Sequence, residues 1–215
     1  MEPEFWYERW QHNEIGFHAA EANPLLVAHW SALSLAVGDR VFVPLCGKTL
    51  DIGWLLSQGY RVVGAELSEK AVQELFAELG LEPEISELDE LRCYRGSGVD
   101  VFVGDIFDLT PGLLGEVQAI YDRAALVALP FSMRRRYTAH LRVITATAAQ
   151  LLLCFEYDQR AMDGPPFSIS DGEVARHYAG HYDLLKLASV AVTGGLKGQC
   201  AARENVWLLN QAIVG

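Results

Sequence analysis

Between residues 40 and 80 the chain alternates twice between two periods. "RVFVPL" (40–45) and "RVVGAEL" (61–67) are short apolar runs, while "TLDIGWLLSQG" (49–59) and "EKAVQELFAELG" (69–80) carry helical spacing. Parallel strands cannot be joined by a tight turn, and a helix is the crossover that satisfies its own backbone. Alternation of this kind therefore calls for a mostly parallel sheet covered by helices on both faces. The punctuation agrees: Gly59 and Gly80 stand where helices must stop, and Ser68 where the second helix needs a cap.

The rest of the chain continues the pattern. Residues 5–10 ("FWYERW") read as a helix with Trp6 and Trp10 four apart on one face, and residues 24–36 as a second helix begun by Pro24. Residues 91–103 read as two strands about a Gly-Ser-Gly turn, the second one central. A strand at 117–123, a helix at 130–148 and a strand at 149–158 follow, then a loop with Gly164-Pro165-Pro166 and a helix near 170–180. The last two strands, near 182–192 and 204–210, flank "TGGLKGQ" and are expected to pair as an antiparallel hairpin at the sheet edge. No linker or repeat divides the chain, so one domain is expected: an N-terminal helical cover over 1–37 and an α/β core over 38–215.

Composition removes several functions. With 17 basic against 28 acidic residues the net charge is −11, which repels a phosphate backbone, and the one basic run (134–136) points three ways on a helix. Nucleic-acid binding is not expected. The charge-free stretch 143–155 is too short to cross a membrane, and the acids of "MEPEFWYERW" do not suit a signal peptide. Cys46, Cys93, Cys154 and Cys200 have no paired or metal-like spacing. A soluble, cytoplasmic protein without a metal is expected. His177 and His181, four apart, lack the glutamate that accompanies a helical metal pair, and Gly180 weakens the helix between them.

The ligand of such a sheet sits beyond the carboxyl ends of its strands, at the switch point beside the first strand. There the sequence reads "VPLCGKT" (43–49). Its tail imitates a phosphate-gripping loop, but the glycine that such a loop needs at 42 is Phe42, and Pro44 removes an amide. The dinucleotide fingerprint is absent too. What remains is a glycine turn at Gly47 and an acid, Glu66, nineteen residues later at the end of the next strand. A carboxylate so placed accepts from a ribose diol; it also suits an ordinary solvent-facing strand end. Asp105, after "VFVGD", is placed near a purine ring. A nucleoside without a pyrophosphate, such as S-adenosylmethionine, needs no further glycines.

"FWYERWQHNEIGFH", "VFVPLCGKTLDIGWL", "GYRVVGAELSEKAVQELF", "GDIFDL", "YDRAALVALP", "GPPFSIS" and "RENVWLLN" together resemble the thiopurine S-methyltransferases of bacterial type, nearly from end to end. "PLCGK" and "DRAALVALP" carry the likeness most specifically. The resemblance implies a class I S-adenosylmethionine-dependent methyltransferase: a Rossmann-like, mostly parallel sheet with a C-terminal antiparallel hairpin and an N-terminal helical cover. It further implies that Trp10 lies against the sulfonium, Leu45 meets the cofactor through its backbone, Glu66 holds the ribose, Ile106 covers the adenine and Arg123 lines the methionine end. Phe17 would stack on a flat substrate, and Arg123 and Arg203 would favour an anionic acceptor.

The implied reaction is in-line methyl transfer to the sulfur of an aromatic or heterocyclic thiol, leaving S-adenosylhomocysteine. Such a thiol ionises near neutral pH, so no catalytic base is assigned. Other soft nucleophiles, selenium and tellurium compounds among them, and a cofactor-binding protein without turnover are the competing readings. A monomer acting on a small molecule is expected.

Overall fold

The computed structural model describes residues 3–12, 14 and 21–212. Nine strands form one sheet: β1 (Arg40–Pro44), β2 (Arg61–Glu66), β3 (Glu84–Leu88), β4 (Leu91–Gly96), β5 (Val99–Val103), β6 (Ala119–Arg123), β7 (Ala149–Tyr157), β8 (Tyr182–Ala191) and β9 (Ala202–Gln211). Their spatial order is β3-β4-β5-β2-β1-β6-β7-β9-β8. The five middle strands, β5 to β7, run parallel, and β1 pairs β2 on one side and β6 on the other. The chain therefore reverses its direction of winding at β1, which opens a crevice above that strand.

Both edges are antiparallel. β8 and β9 form the expected hairpin, with β9 inserted against β7 and β8 outermost. At the other edge β3 and β4 extend the sheet from β5. β3 has no counterpart in the sequence reading. Its "EISEL" buries none of its residues fully, so it carries no apolar alternation to read. β5 is an interior strand, though two places from the middle one.

Among the described residues seven α-helices cross between strands or cover their ends: α1 (Pro3–Gln11), α2 (Pro24–His29), α3 (Leu50–Ser57), α4 (Glu69–Leu79), α5 (Pro111–Leu114), α6 (Phe131–Ile144) and α7 (Asp171–Tyr178). Ser68 caps α4 by accepting from Ala71 N, and Gly80 ends it in the left-handed conformation at φ 67°. The helix expected over 24–36 stops early, giving way to a tighter 3-10 turn at Trp30–Leu33. Trp30 is the reason to bend there. Its ring stands edge-on to Trp54, Tyr60 and Tyr121, with centroids 5.5 to 6.2 Å away.

Alternate residues of each strand fill one of two cores. Val41, Val43, Val62, Tyr121, Leu151 and Val206 face α2, α3 and α4, while Phe42, Val63, Ile120, Leu152 and Trp207 face α6 and α7. Each fully buried aliphatic side chain contributes about 1.5–3 kcal/mol. The three arginines 134–136 point apart, as expected of a helix. Arg134 is buried against Glu173 at 2.6 Å and Arg136 lies over the Phe107 ring at 3.6 Å. His177 turns to Glu173, 3.4 Å away.

One buried carboxylate shapes the end of β6. Asp122, 0% exposed, accepts from Leu126 N at 3.1 Å and from the Tyr137 hydroxyl at 2.8 Å. Those bonds favour the anion, but burial outweighs them and pushes the pKa from 3.8 up to about 6. A raised acid contributes its stability below the unfolded value and loses it as pH rises through the folded one. The Asp122→Asn variant is expected to gain on wild type by up to about 3 kcal/mol between pH 4 and pH 7.5. Urea unfolding of both proteins across that range measures the difference; a difference that stays flat with pH contradicts the assignment.

Candidate active site at the strand ends

The site is assembled where β1 and β2 end side by side. Their register places Pro44 beside Ala65, and Cys46 N donates to Ala65 O at 3.0 Å. Beyond Pro44 the chain turns sharply, with Leu45 at φ 47° and Gly47 at φ 52°. A non-glycine residue in that region is uncommon and costs about 1–3 kcal/mol. Ala124, just past the end of the adjacent β6, sits at φ 63°. Two strained residues thus flank the crevice from neighbouring strands.

Glu66 closes the turn. Its Oε2 accepts from Gly47 N at 2.8 Å and its Oε1 from Ser68 N at 2.8 Å. The carboxylate therefore staples the β1 turn to the start of α4. Burial raises its pKa, while the amides of Ser68, Gly47 and Leu67 pull it back down. Each oxygen has a second lone pair, so a vicinal diol can still be accepted. Farther along the strand ends, Tyr7, Leu67, Val103 and Gly104 line one side of a cleft of about 310 Å³, whose other side is Glu69 with the β3–β4 turn residues Glu87 and Asp89 to Arg92. Ile106, 6% exposed, follows β5, where Asp105 accepts from Phe107 N at 3.0 Å and His140 Nε2 meets Ile106 O at 2.8 Å.

The helical cover supplies the roof. Trp10 is 3% exposed, and a Cβ added at Gly47 would stand 3.0 Å from its Cζ2. A side chain here would crowd the indole and strain the backbone at φ 52°. Lys70 Nζ donates to Trp10 O at 2.7 Å and ties α1 to α4. Asn23 holds the second cover helix: its Oδ1 caps α2, and its own N–H donates to buried Asp51 Oδ1 at 2.7 Å. Asp51 Oδ2 accepts from the Tyr121 hydroxyl at 2.9 Å. The Asn23 side chain also bonds Glu204, which the Arg123 charge reaches from β6.

The lysine of "GKT" does not face the crevice as a phosphate ligand would. Lys48 Nζ lies 3.0 Å from Glu74 and 2.8 Å from Glu78, so it clamps the turn to α4.

Among the residues expected from the sequence, Trp10, Leu45 and Glu66 meet at one turn, with Ile106 beyond the end of β5 and half-buried Arg123 at the end of β6. Arg203 stands elsewhere on the same rim. Strand alternation puts it on the face opposite Glu204 and Arg123, where its Nε donates to Ser189 Oγ at 2.7 Å. Phe17 lies outside the described residues. Asn23, Asp51 and Glu204 went unread, since their bonds join elements 28 or more residues apart and leave no local pattern.

The fit to a sulfonium nucleoside rests on those parts: a carboxylate with spare lone pairs, a glycine turn that a Cβ would close, and an aromatic face laid against it. Comparison with known proteins decides the relationship. The family model described as "Thiopurine S-methyltransferase" matches residues 1–211.

The chain belongs to that family.

A thiopurine S-methyltransferase of Xanthobacter autotrophicus is 55% identical over 213 residues, covering 99% of this chain and 100% of its own. One from Teredinibacter turnerae is 53% identical, with 99% of each chain covered. Among solved structures, the 1,6-didemethyltoxoflavin-N1-methyltransferase of Burkholderia thailandensis, with bound 1,6-didemethyltoxoflavin and S-adenosylhomocysteine, superposes with a TM-score of 0.66 at 16% identity. That match covers 97% of this chain and 87% of the other. A SAM-dependent methyltransferase of Methanosarcina mazei gives 0.64 at 12%, covering 90% of this chain and 100% of its own. Both place the fold among the class I methyltransferases.

Removing the Glu66 staple tests the turn. Glu66→Ala is expected to weaken S-adenosylhomocysteine binding at least tenfold, roughly 1.4 kcal/mol. Calorimetric titration of both proteins measures it. An unchanged affinity would separate the carboxylate from the cofactor.

Proposed function

We propose that this chain transfers the methyl group of S-adenosylmethionine to the sulfur of an aromatic or heterocyclic thiol, thiopurines among them. The observation that carries the reading is the buried Trp10 indole on the Gly47 turn, the same residue whose amide the Glu66 carboxylate accepts. The near-identical length and naming of the relatives support it. When bound, the cofactor supplies a methyl group on a cationic sulfur that departs neutral.

The residues of this chain would bind, orient and exclude water. Glu66 accepts the ribose diol, the Leu45 backbone bounds the turn, Ile106 covers the adenine and Arg123 pairs the amino-acid carboxylate. The Trp10 face attracts the positive sulfur and keeps solvent from it. Phe17 stacks on the acceptor ring and Arg123 favours an acceptor that reacts as an anion, while Arg203, bonded to Ser189 on the other face, does not share that role. Holding both sulfurs in line about the methyl group supplies most of the acceleration expected of such a site. On this reading the chain is a single domain, with residues 1–37 as cover, and works as a cytoplasmic monomer on a small molecule without a nucleic-acid partner. No helix among the described residues is long and apolar enough to cross a membrane.

No side chain is required as a base. Incubation with S-adenosylmethionine and an aromatic thiol is expected to give the thioether, with a rate that rises with the thiolate fraction and then levels. Substituting Tyr7, Asp105 or Glu204 in turn should cost less than about a hundredfold in turnover at pH 9, below the usual contribution of a general base. A loss of several orders of magnitude with S-adenosylhomocysteine binding intact would identify a base. Absence of any methylation would leave only a binding protein.

A further inference from the structure

One cation of the roof stands in an unfavourable place. Lys70 is the second residue of α4, where the positive end of the helix dipole disfavours a positive charge. Its ammonium reaches across to α1 instead, and Nζ donates to Trp10 O at 2.7 Å. Trp10 belongs to the last turn of α1, where carbonyls run out of intrahelical donors. Glu14 N, four residues on, donates to Arg9 O at 2.9 Å and passes Trp10 O by. One charge thus stands at the wrong end of α4 and at the right end of α1, whose negative pole it meets.

An ion chain continues from that contact to the turn below. Lys70 Nζ lies 3.4 Å from Glu74 Oε1, and Glu74 Oε2 lies 3.0 Å from the Nζ of Lys48, the residue after Gly47. α4 therefore holds the floor of the site through Lys48 and its roof through Lys70. Between the two, the Trp10 indole rests on Gly47, and both residues are buried. Glu66, which accepts the Gly47 amide, is only 6% exposed. Tyr7, three residues before Trp10 on the same helix, carries the roof on towards Leu67 and Gly104. Floor, carboxylate and roof are packed on one another, so a nucleoside gains Gly47 and Glu66 only when α1 lifts.

We propose that Lys70 is a positioning residue for the cofactor: through the Trp10 carbonyl it seats the indole on the Gly47 turn and sets the rate at which α1 lifts to admit S-adenosylmethionine and release S-adenosylhomocysteine. The inference rests on the methyl-transfer reading above, which puts the cofactor between Trp10 and Glu66. The Lys70 bond is made to the backbone of Trp10, whereas the sulfonium would meet its ring, so the latch is the same before and after binding. Weakening it shifts the roof toward the open form equally in both states. Association and dissociation then accelerate together, and the affinity stays where it was. A residue that contacts the ligand would instead raise the dissociation rate alone.

Stopped-flow tryptophan fluorescence of S-adenosylhomocysteine binding to the full chain yields both rate constants, and a thermal melt of each protein accompanies it. Lys70→Met keeps the length of the side chain and removes donor and charge; Lys70→Arg gives both back. Lys70→Met is expected to raise association and dissociation alike by about threefold to tenfold, the span of one charge-assisted hydrogen bond screened at a partly exposed lysine. On the same basis Kd should change less than about twofold, and Lys70→Arg should return both rates to within about twofold of wild type. Unchanged or slower rates in Lys70→Met overturn the proposal. Faster dissociation alone would make Lys70 a ligand contact, and a lowered Tm with the rates unmoved would make it a structural tie; either result overturns it as well. A Lys70→Arg variant as fast as Lys70→Met does the same, since the donor would then be irrelevant. Failure of wild type to bind S-adenosylhomocysteine removes the cofactor reading itself, and shows before any variant is compared.

Discussion

The bond pattern of one carboxylate decides the geometry on which everything else at this site depends. Glu66 accepts an amide from the turn after β1 and another from the first residue of the next helix. Without those acceptors two backbone N–H groups would be buried and unpaired, and the turn would have no fixed distance from α4. Burial pushes the pKa of this carboxyl up, and the amides of Ser68, Gly47 and Leu67 oppose that shift. The same atoms that make the fold self-consistent also keep lone pairs able to accept further donors.

The second requirement is a roof that does not belong to the sheet. α1 and α2 are short helices that bury Trp10 and Leu26, and specific polar bonds add to that packing. Lys70 holds the carbonyl of Trp10, while Asp51 takes the N–H of Asn23 and the hydroxyl of Tyr121 at once. Buried acids of this kind are costly unless every lone pair is directed at a donor. Here they join the cover to a strand alongside the apolar contacts of Leu26 and Trp30.

Much of the core was legible because it is local. The alternation over 40–80, the Ser68 cap and the Gly80 stop are written in adjacent residues, and the structure places them as read. β3 was invisible because an edge strand with exposed side chains has no burial pattern to display. The "GKT" tail was ambiguous in sequence for a physical reason. A lysine after a glycine turn has reach in several directions, and only the pair Glu74 and Glu78, one helical turn apart on α4, fixes which it takes. Asp51 was passed over for the same reason: its partners, Asn23 and Tyr121, are distant in the chain, and composition holds no record of them. Family resemblance supplied Trp10 and Leu45, which the residues alone would have assigned to the core.

The register of β1 against β2 has a thermodynamic side. The turn and the carboxylate that closes it belong to different strands, aligned by the pairing of Pro44 with Ala65. No fragment containing only one of them can present the site. A ligand gripped there therefore binds the assembled sheet and not the unfolded chain, so its free energy is credited by mass action to the whole parallel core. Occupancy and global stability become two readings of the same equilibrium.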